Sequence, residues 1–182
     1  MTELTPATRG VLYVIICGSS SAQRAADFIM EAQKVGWNVC AITTPQARKF
    51  LNISQLEQIT RRSVRSEYKH PDEPDLFPRA DALVVLPATF NTLNKWALDI
   101  SDTLAVGLLC EYTGRKIPIV AVPGVTNASG LDTHPAFSRS MSLLKEYGVH
   151  IIYEREKYAP RNEVPCNVIL DELHKLIAQT KD

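Results

Sequence analysis

Short apolar runs without alternation recur along the chain, each followed by polar turn residues and then by a helical repeat. Val11 to Cys17 is the first run; it passes through Gly18-Ser19-Ser20-Ser21 into a helical pattern over Ala22 to Val35, closed by Gly36. Runs of this kind read as strands covered on both faces, as parallel sheets require. Trp37 to Thr43 reads as the second strand, and Thr44-Pro45 has the cap-then-proline order of a helix start. Ser54 to Arg61 reads as a short helix with Ser54 and Glu57 as a capping box. Ser66 to Arg79, with Pro71, Pro74 and Pro78, is the longest loop. Ala82 to Leu86 is the central strand, which Pro87 should end because it has no N–H for a ladder. A polar loop, Thr89 to Thr92, then precedes helical signals from Leu93 to Tyr112, with a break near Asp99 to Asp102.

Lys116 to Val122 reads as the fourth strand, opening into Pro123-Gly124-Val125-Thr126-Asn127. A helix from His134 or Pro135 to Tyr147 ends at Gly148, before a last strand over Val149 to Tyr153 and a last helix over Val168 to Ala178. Residues 1 to 9 read as a loose polar tail. Strand–helix alternation with right-handed crossovers predicts an α/β fold: one domain over 1–182, a doubly wound parallel sheet of about five or six strands with helices on both faces. The loops at Gly18, Thr44, Thr89 and Asn127 should all open on the carboxyl edge of that sheet, where such folds hold ligands.

Composition narrows the function classes. At 182 residues with 45% hydrophobic content, the chain can bury a full core. Its formal net charge is zero, so no long-range field favours nucleic acid or an anionic membrane. The basic run Arg61-Arg62-Ser63-Val64-Arg65 is offset by Glu67, Asp72, Glu73 and Asp75 and reads as a solvated helix end. No apolar run approaches the ~20 residues a bilayer span needs, and no leader pattern precedes Val11, so a cytoplasmic protein is expected. Cys17, Cys40, Cys110 and Cys166 lack metal-ligand spacing and read as reduced thiols; no metal site is expected.

Gly18-Ser19-Ser20-Ser21 has the chemistry to hold a phosphate: close backbone approach at glycine, hydroxyl donors, and amides near a helix start. It is neither a Gly-x-Gly-x-x-Gly fingerprint nor a Walker loop, and a plain serine cap gives the same pattern.

Taken together, the strand-end loops resemble the family of homo-oligomeric flavin-containing cysteine decarboxylases, which includes phosphopantothenoylcysteine decarboxylases and lantibiotic peptidyl-cysteine decarboxylases. The matches run from about Val11 to Ile152. They are the Gly18-Ser19 loop; Thr44, Ala47 and Phe50 in a Thr-x-x-Ser/Ala-x-x-Phe pattern; Pro87-Ala88-Thr89-Phe90-Asn91-Thr92 against Pro-Ala-Ser-Ala-Asn-Thr; Lys95, Ala97, Asp102 and Leu104; and Pro123 to Asn127 against Pro-Ala-Met-Asn. The resemblance implies a Rossmann-like, flavodoxin-like domain that binds FMN. Gly18, Ser19 and Ser20 would hold the phosphate, with Thr44, Ala47 and Phe50 beside the flavin or ribityl chain. Thr89, Phe90, Asn91 and Thr92, together with Gly124, would complete the cofactor site. Asn91 would orient substrate and flavin, and Asn127 would bind a cysteine-containing small molecule or peptide C-terminus. A trimer, or a dodecamer of trimers, is the implied assembly. Phe90 and Trp96 are equally readable as subunit contacts or as core.

The implied reaction is oxidative decarboxylation of a cysteine-containing substrate. The sequence departs from the family where that chemistry is concentrated. Glu73 stands where the pattern has its histidine, and Arg79 where it has a tryptophan; His70 lies three residues earlier. His70 and Glu73 are therefore the acid–base candidates, although a solvated carboxylate matches poorly a proton transfer near neutral pH. The Met and Trp that follow the family's substrate asparagine are replaced by Ala128-Ser129-Gly130-Leu131, the Cys-Gly segment of the phosphopantothenoylcysteine branch is missing, and Asp99 replaces a glycine. Two alternatives stay open: an FMN-binding or partner-binding homologue that does not decarboxylate, and a flavin prenyltransferase-like protein.

Overall fold

The computed structural model describes residues 8–180, so most of the tail expected over 1–9 lies outside the described residues. Arg9, its last residue, is tied down: its amide bonds Gly36 O at 3.0 Å and its Nε bonds Val35 O at 2.8 Å.

The elements alternate as β1 (Gly10–Ile16), α1 (Arg24–Lys34), β2 (Trp37–Thr43), a 3-10 helix (Pro45–Phe50), α2 (Ile53–Thr60), β3 (Ala82–Ala88), α3 (Phe90–Ala97), α4 (Leu104–Gly114), β4 (Ile119–Pro123), α5 (Pro135–Glu146), β5 (His150–Ile151) and α6 (Cys166–Gln179). The five strands form one parallel sheet in the order β2-β1-β3-β4-β5. The continuous apolar runs have a direct cause. Leu12, Val14, Ile16, Ala82, Val84 and Leu86 face α1, α2 and α6, while Tyr13, Ile15, Cys17, Leu83 and Val85 face α3, α4 and α5. A strand with both faces covered has no polar positions to alternate.

Several boundaries differ from the sequence expectation. Pro87 does not end β3, which continues to Ala88. The ladder to β4 shifts register between Val85 and Ala88, and the missing proline N–H falls in that irregularity, while Pro87 O still accepts from Cys17 N at 3.2 Å. α1 starts at Arg24 rather than Ala22, because Ser19 to Gln23 is taken up in turns. α2 is capped by Asn52, whose side chain accepts from Gln55 N at 3.1 Å; the Ser54–Glu57 capping box does not form, and Glu57 instead accepts from Val64 N. α3 begins at Phe90, with Thr89 as its cap. β4 is shorter than 116–122 because Lys116 sits at φ 57, and β5 keeps only two of its five expected residues.

The break between α3 and α4 explains Asp99. Asp99 N bonds Trp96 O at 3.1 Å and Ile100 N bonds Lys95 O at 2.9 Å, which is the Schellman pattern, with Asp99 left-handed at φ 58. Glycine is the usual residue there, and aspartate is among the few others that tolerate it. Trp96 is core, at 1% exposure, donating its indole N–H to Thr113 Oγ1 at 3.0 Å; the reading of it as a subunit contact is thereby corrected. No helix among the described residues is long and apolar enough to cross a membrane.

Candidate functional site

The order β2-β1-β3-β4-β5 reverses direction between β1 and β3, and a cleft of about 700 Å³ opens above that point on the carboxyl edge. Both its position and its size are those of a small-molecule site in this class of fold.

One wall is the turn after β1. At Gly18 a Cβ would lie 3.0 Å from Gln46 C and 3.1 Å from Ala47 N, so glycine lets this turn close onto the 3-10 helix after β2. Ser19 Oγ meets Ser21 Oγ at 2.8 Å and accepts from Ser21 N at 3.1 Å. The amides of Gly18, Ser19 and Ser20 make no hydrogen bond within the described chain, which leaves three donors together at the cleft. Thr44, Pro45 and Gln46 continue this wall.

The floor is the start of α3. Thr89 accepts from Thr92 N at 3.5 Å and its hydroxyl donates to Thr92 Oγ1 at 3.1 Å. With Thr89 doing the capping, Asn91 is an uncommitted residue of the first helical turn: it is exposed, lines the cleft, and makes no side-chain hydrogen bond among the described residues. The Phe90 ring is half-buried, edge-on to His134 with centroids 5.4 Å apart and stacked at 6.5 Å from Phe137. Beneath this floor the Cys17 thiol is fully buried beside Thr89 and Thr92; burial pushes its pKa up, against a smaller downward pull from the Thr92 hydroxyl and from the backbone and hydroxyl of Thr89. Such a thiol stays protonated.

The opposite wall comes from β4 and the chain beyond it: Gly124, Val125, Thr126, Ser129 and Leu131. A Cβ on Gly124 would fall 2.5 Å from Pro87 Cβ, so glycine is required where β3 and β4 end side by side. Below, the Asp132 side chain has no exposed surface and pairs with Arg155 Nε at 2.6 Å, tying this wall to the segment after β5. Asp132 Oδ1 and the neighbouring Tyr153 hydroxyl are buried without a hydrogen-bond partner among the described residues. Burial first, and Asp132 second, raise the tyrosine pKa.

The structure thus brings Gly18, Ser19, Ser20, Thr44, Thr89, Phe90, Asn91, Thr92 and Gly124 to one cleft. Ala47 is fully buried behind Gly18, and Phe50, at 42% exposure, lies outside the lining. Asn127 is exposed next to lining residue Thr126, its amide bonded to Pro160 O at 3.1 Å. His70 and Glu73 are also exposed and outside the lining. Their segment is held by the Tyr68 hydroxyl on the carbonyl of Thr103 at the cleft's edge, by buried Phe77, and by Pro78 O accepting from Tyr13.

The sequence reading missed Pro45, Gln46, Lys95, Thr103, Val106, Val125, Thr126, Ser129, Leu131 and Arg161 as lining residues. A signal existed for Lys95, which is four residues after Asn91 on one helix face. None existed for Arg161, which owes its place to Asn162. That residue is buried at φ 55; its amide donates to Pro123 O and Ile152 O, and its oxygen accepts from Glu154 N.

Residues 3–180 match the Flavoprotein family. A relative from Streptococcus mutans, a probable phosphopantothenoylcysteine decarboxylase, is 22% identical over 166 residues, covering 88% of this chain and 91% of that one. The coenzyme A biosynthesis bifunctional protein CoaBC of Bacillus subtilis is 27% identical over 177 residues, covering 88% of this chain but only 42% of its own length. Among solved structures, the FMN-dependent cysteine decarboxylase SpaF is similar with a TM-score of 0.77 at 24% identity, covering 94% of this chain and 98% of its own. The epidermin biosynthesis protein EpiD from Staphylococcus aureus reaches a TM-score of 0.72 at 25% identity, covering 89% and 99%. With almost its whole length matched, the chain belongs to the Flavoprotein family.

Proposed function

We propose that the cleft binds FMN and that the protein decarboxylates a cysteine-containing substrate oxidatively. One observation carries this reading: the backbone amides of Gly18, Ser19 and Ser20, unbonded among the described residues, stand at one side of the cleft, and Phe90, Val106, Val125 and Leu131 give it apolar surface elsewhere. An anion-binding end and an apolar wall are what a flavin mononucleotide needs. The decarboxylases among the relatives and similar structures support the same reaction class.

In this account Gly18, Ser19 and Ser20 hold the phosphate. Thr44 reaches the ribityl chain, with Ala47 supporting the Gly18 turn from behind. Thr89 to Thr92 and Gly124 bound the ring, and Asn91 presents its amide to ring and substrate. Asn127 meets the substrate at the outer rim. Bound FMN supplies a two-electron acceptor, so that the oxidised cysteine side chain can stabilise the charge left when the adjacent carboxylate departs as carbon dioxide. The chain's own task is to hold the thiol and carboxylate in register.

A homo-oligomer belongs to the same proposal. α4 is apolar on nearly every side, with Gly107, Leu108 and Cys110 only half-covered, and Leu98 and Ile100 stand exposed beside it. A helix of that composition is normally enclosed.

A second reading is favoured by the cleft's own inventory, since among the described residues neither histidine nor carboxylate lines it. That reading is an FMN-binding homologue that does not decarboxylate. Incubation with cysteine-terminated peptides and with phosphopantothenoylcysteine, followed by mass, separates the two. A loss of about 46 mass units (carbon dioxide plus two hydrogens) is expected for the enzyme, and unchanged mass for all of these substrates favours the second reading.

A further inference from the structure

Among the described residues, Lys95 and Arg161 are the charged side chains lining the cleft, and both are cations. Lys95 is ion-paired with Asp102. Arg161 takes part in none of the ion pairs among the described residues. Its backbone is nevertheless closely held. On one side Pro160 O accepts from Asn127 N; on the other, buried Asn162 bonds the ends of β4 and β5, and Val164 O accepts from Arg24 Nη2 at 2.8 Å. A fixed perch thus carries an exposed, unpaired guanidinium at the mouth of the cleft.

We propose that Arg161 determines substrate specificity by pairing with a second anionic group on the substrate, distinct from the carboxylate that is lost. The proposal rests on the FMN-dependent decarboxylation proposed above. A guanidinium paired with the departing carboxylate would stabilise the reactant's charge just where the transition state disperses it, and so would slow the reaction. Pairing with a remote phosphoryl or side-chain carboxylate carries no such cost and supplies directional recognition through the guanidinium fork. Substrates with a negative group several bonds from the reacting cysteine are therefore the class this cleft selects.

The test compares wild type with Arg161→Gln and Arg161→Lys, all loaded with FMN kept reduced under anaerobic conditions so that no ligand is oxidised, in equilibrium binding of two ligand pairs. One pair is phosphopantothenoylcysteine against its dephosphorylated form; the other is a peptide ending in Glu-Cys against one ending in Gln-Cys. Wild type is expected to prefer the charged member of one pair, which identifies the anion as phosphoryl or carboxylate. Arg161→Gln should weaken that member by about 10- to 100-fold and leave the neutral member and FMN retention unchanged. Arg161→Lys should restore part of the preference. Equal binding of both members by wild type, or equal weakening of both in Arg161→Gln, overturns the proposal. So does loss of FMN from Arg161→Gln, which would assign the guanidinium to the cofactor phosphate. A wild-type chain that takes up no FMN fails earlier and removes the functional reading along with this one.

Discussion

Two stretches that flank β3 in sequence have opposite structural characters. Thr89 to Thr92, just after it, is committed to the fold: Thr89 caps α3, Thr92 is buried, and Asn91 is left presenting its amide to the cleft. Ser66 to Arg79, before it, is largely exposed and bonds itself through His70 O to Glu73 N and through the Lys69 ammonium to the Glu73 carbonyl. The first stretch is held in place at the start of α3 by the Thr89 hydroxyl, so its side chains meet the cleft from a fixed backbone. The second holds the positions where a proton-transfer group is expected, and there the identity of the side chain is all that matters. On the function proposed above, flavin binding and proton transfer would fall to different segments of the chain.

Perturbing the committed side should have the largest effect. Gly124→Ala places a methyl 2.5 Å from Pro87 Cβ, and forcing β3 and β4 apart should cost about 1–3 kcal/mol of stability in denaturant unfolding. FMN affinity should fall with it, because Thr89 and Gly124, which directly follow the two strands, line the cleft. Thr89→Ala comes next: loss of the α3 cap should cost about 1 kcal/mol, again with weaker FMN binding measured by titration. Asn91→Ala removes no cap and no internal bond, so stability should change by less than about 0.5 kcal/mol while FMN retention or turnover falls. An Asn91→Ala protein with unaltered flavin binding and turnover would reduce that residue to a surface position. Smallest of all, Glu73→Gln and His70→Gln should shift stability by less than about 0.5 kcal/mol and leave FMN affinity unchanged. A loss of FMN affinity in either would break the contrast between the two stretches.

Which features were legible in the sequence follows from how locally each is determined. Strands buried on both faces announce themselves as unbroken apolar runs, and the turns at Gly18, Thr89 and Gly124 follow from residues adjacent to those strands. The fate of Pro87 was not local, since it depends on a register shift against β4 that only the neighbouring strand reveals. Asn52 outcompeted Ser54 as the cap of α2 because the chain entered the helix two residues earlier than the capping-box pattern suggested. Asp99 was an unexplained departure until its left-handed backbone appeared. Arg161 was beyond reach, since a polar stretch with no periodicity gives no hint that Asn162 is buried between the ends of two strands.

The most direct test of the account is FMN titration of the full chain followed by gel filtration. The account predicts that flavin absorbance travels with the protein and that Asn91→Ala releases flavin more readily without unfolding. Flavin eluting wholly free from a folded wild-type protein would contradict it.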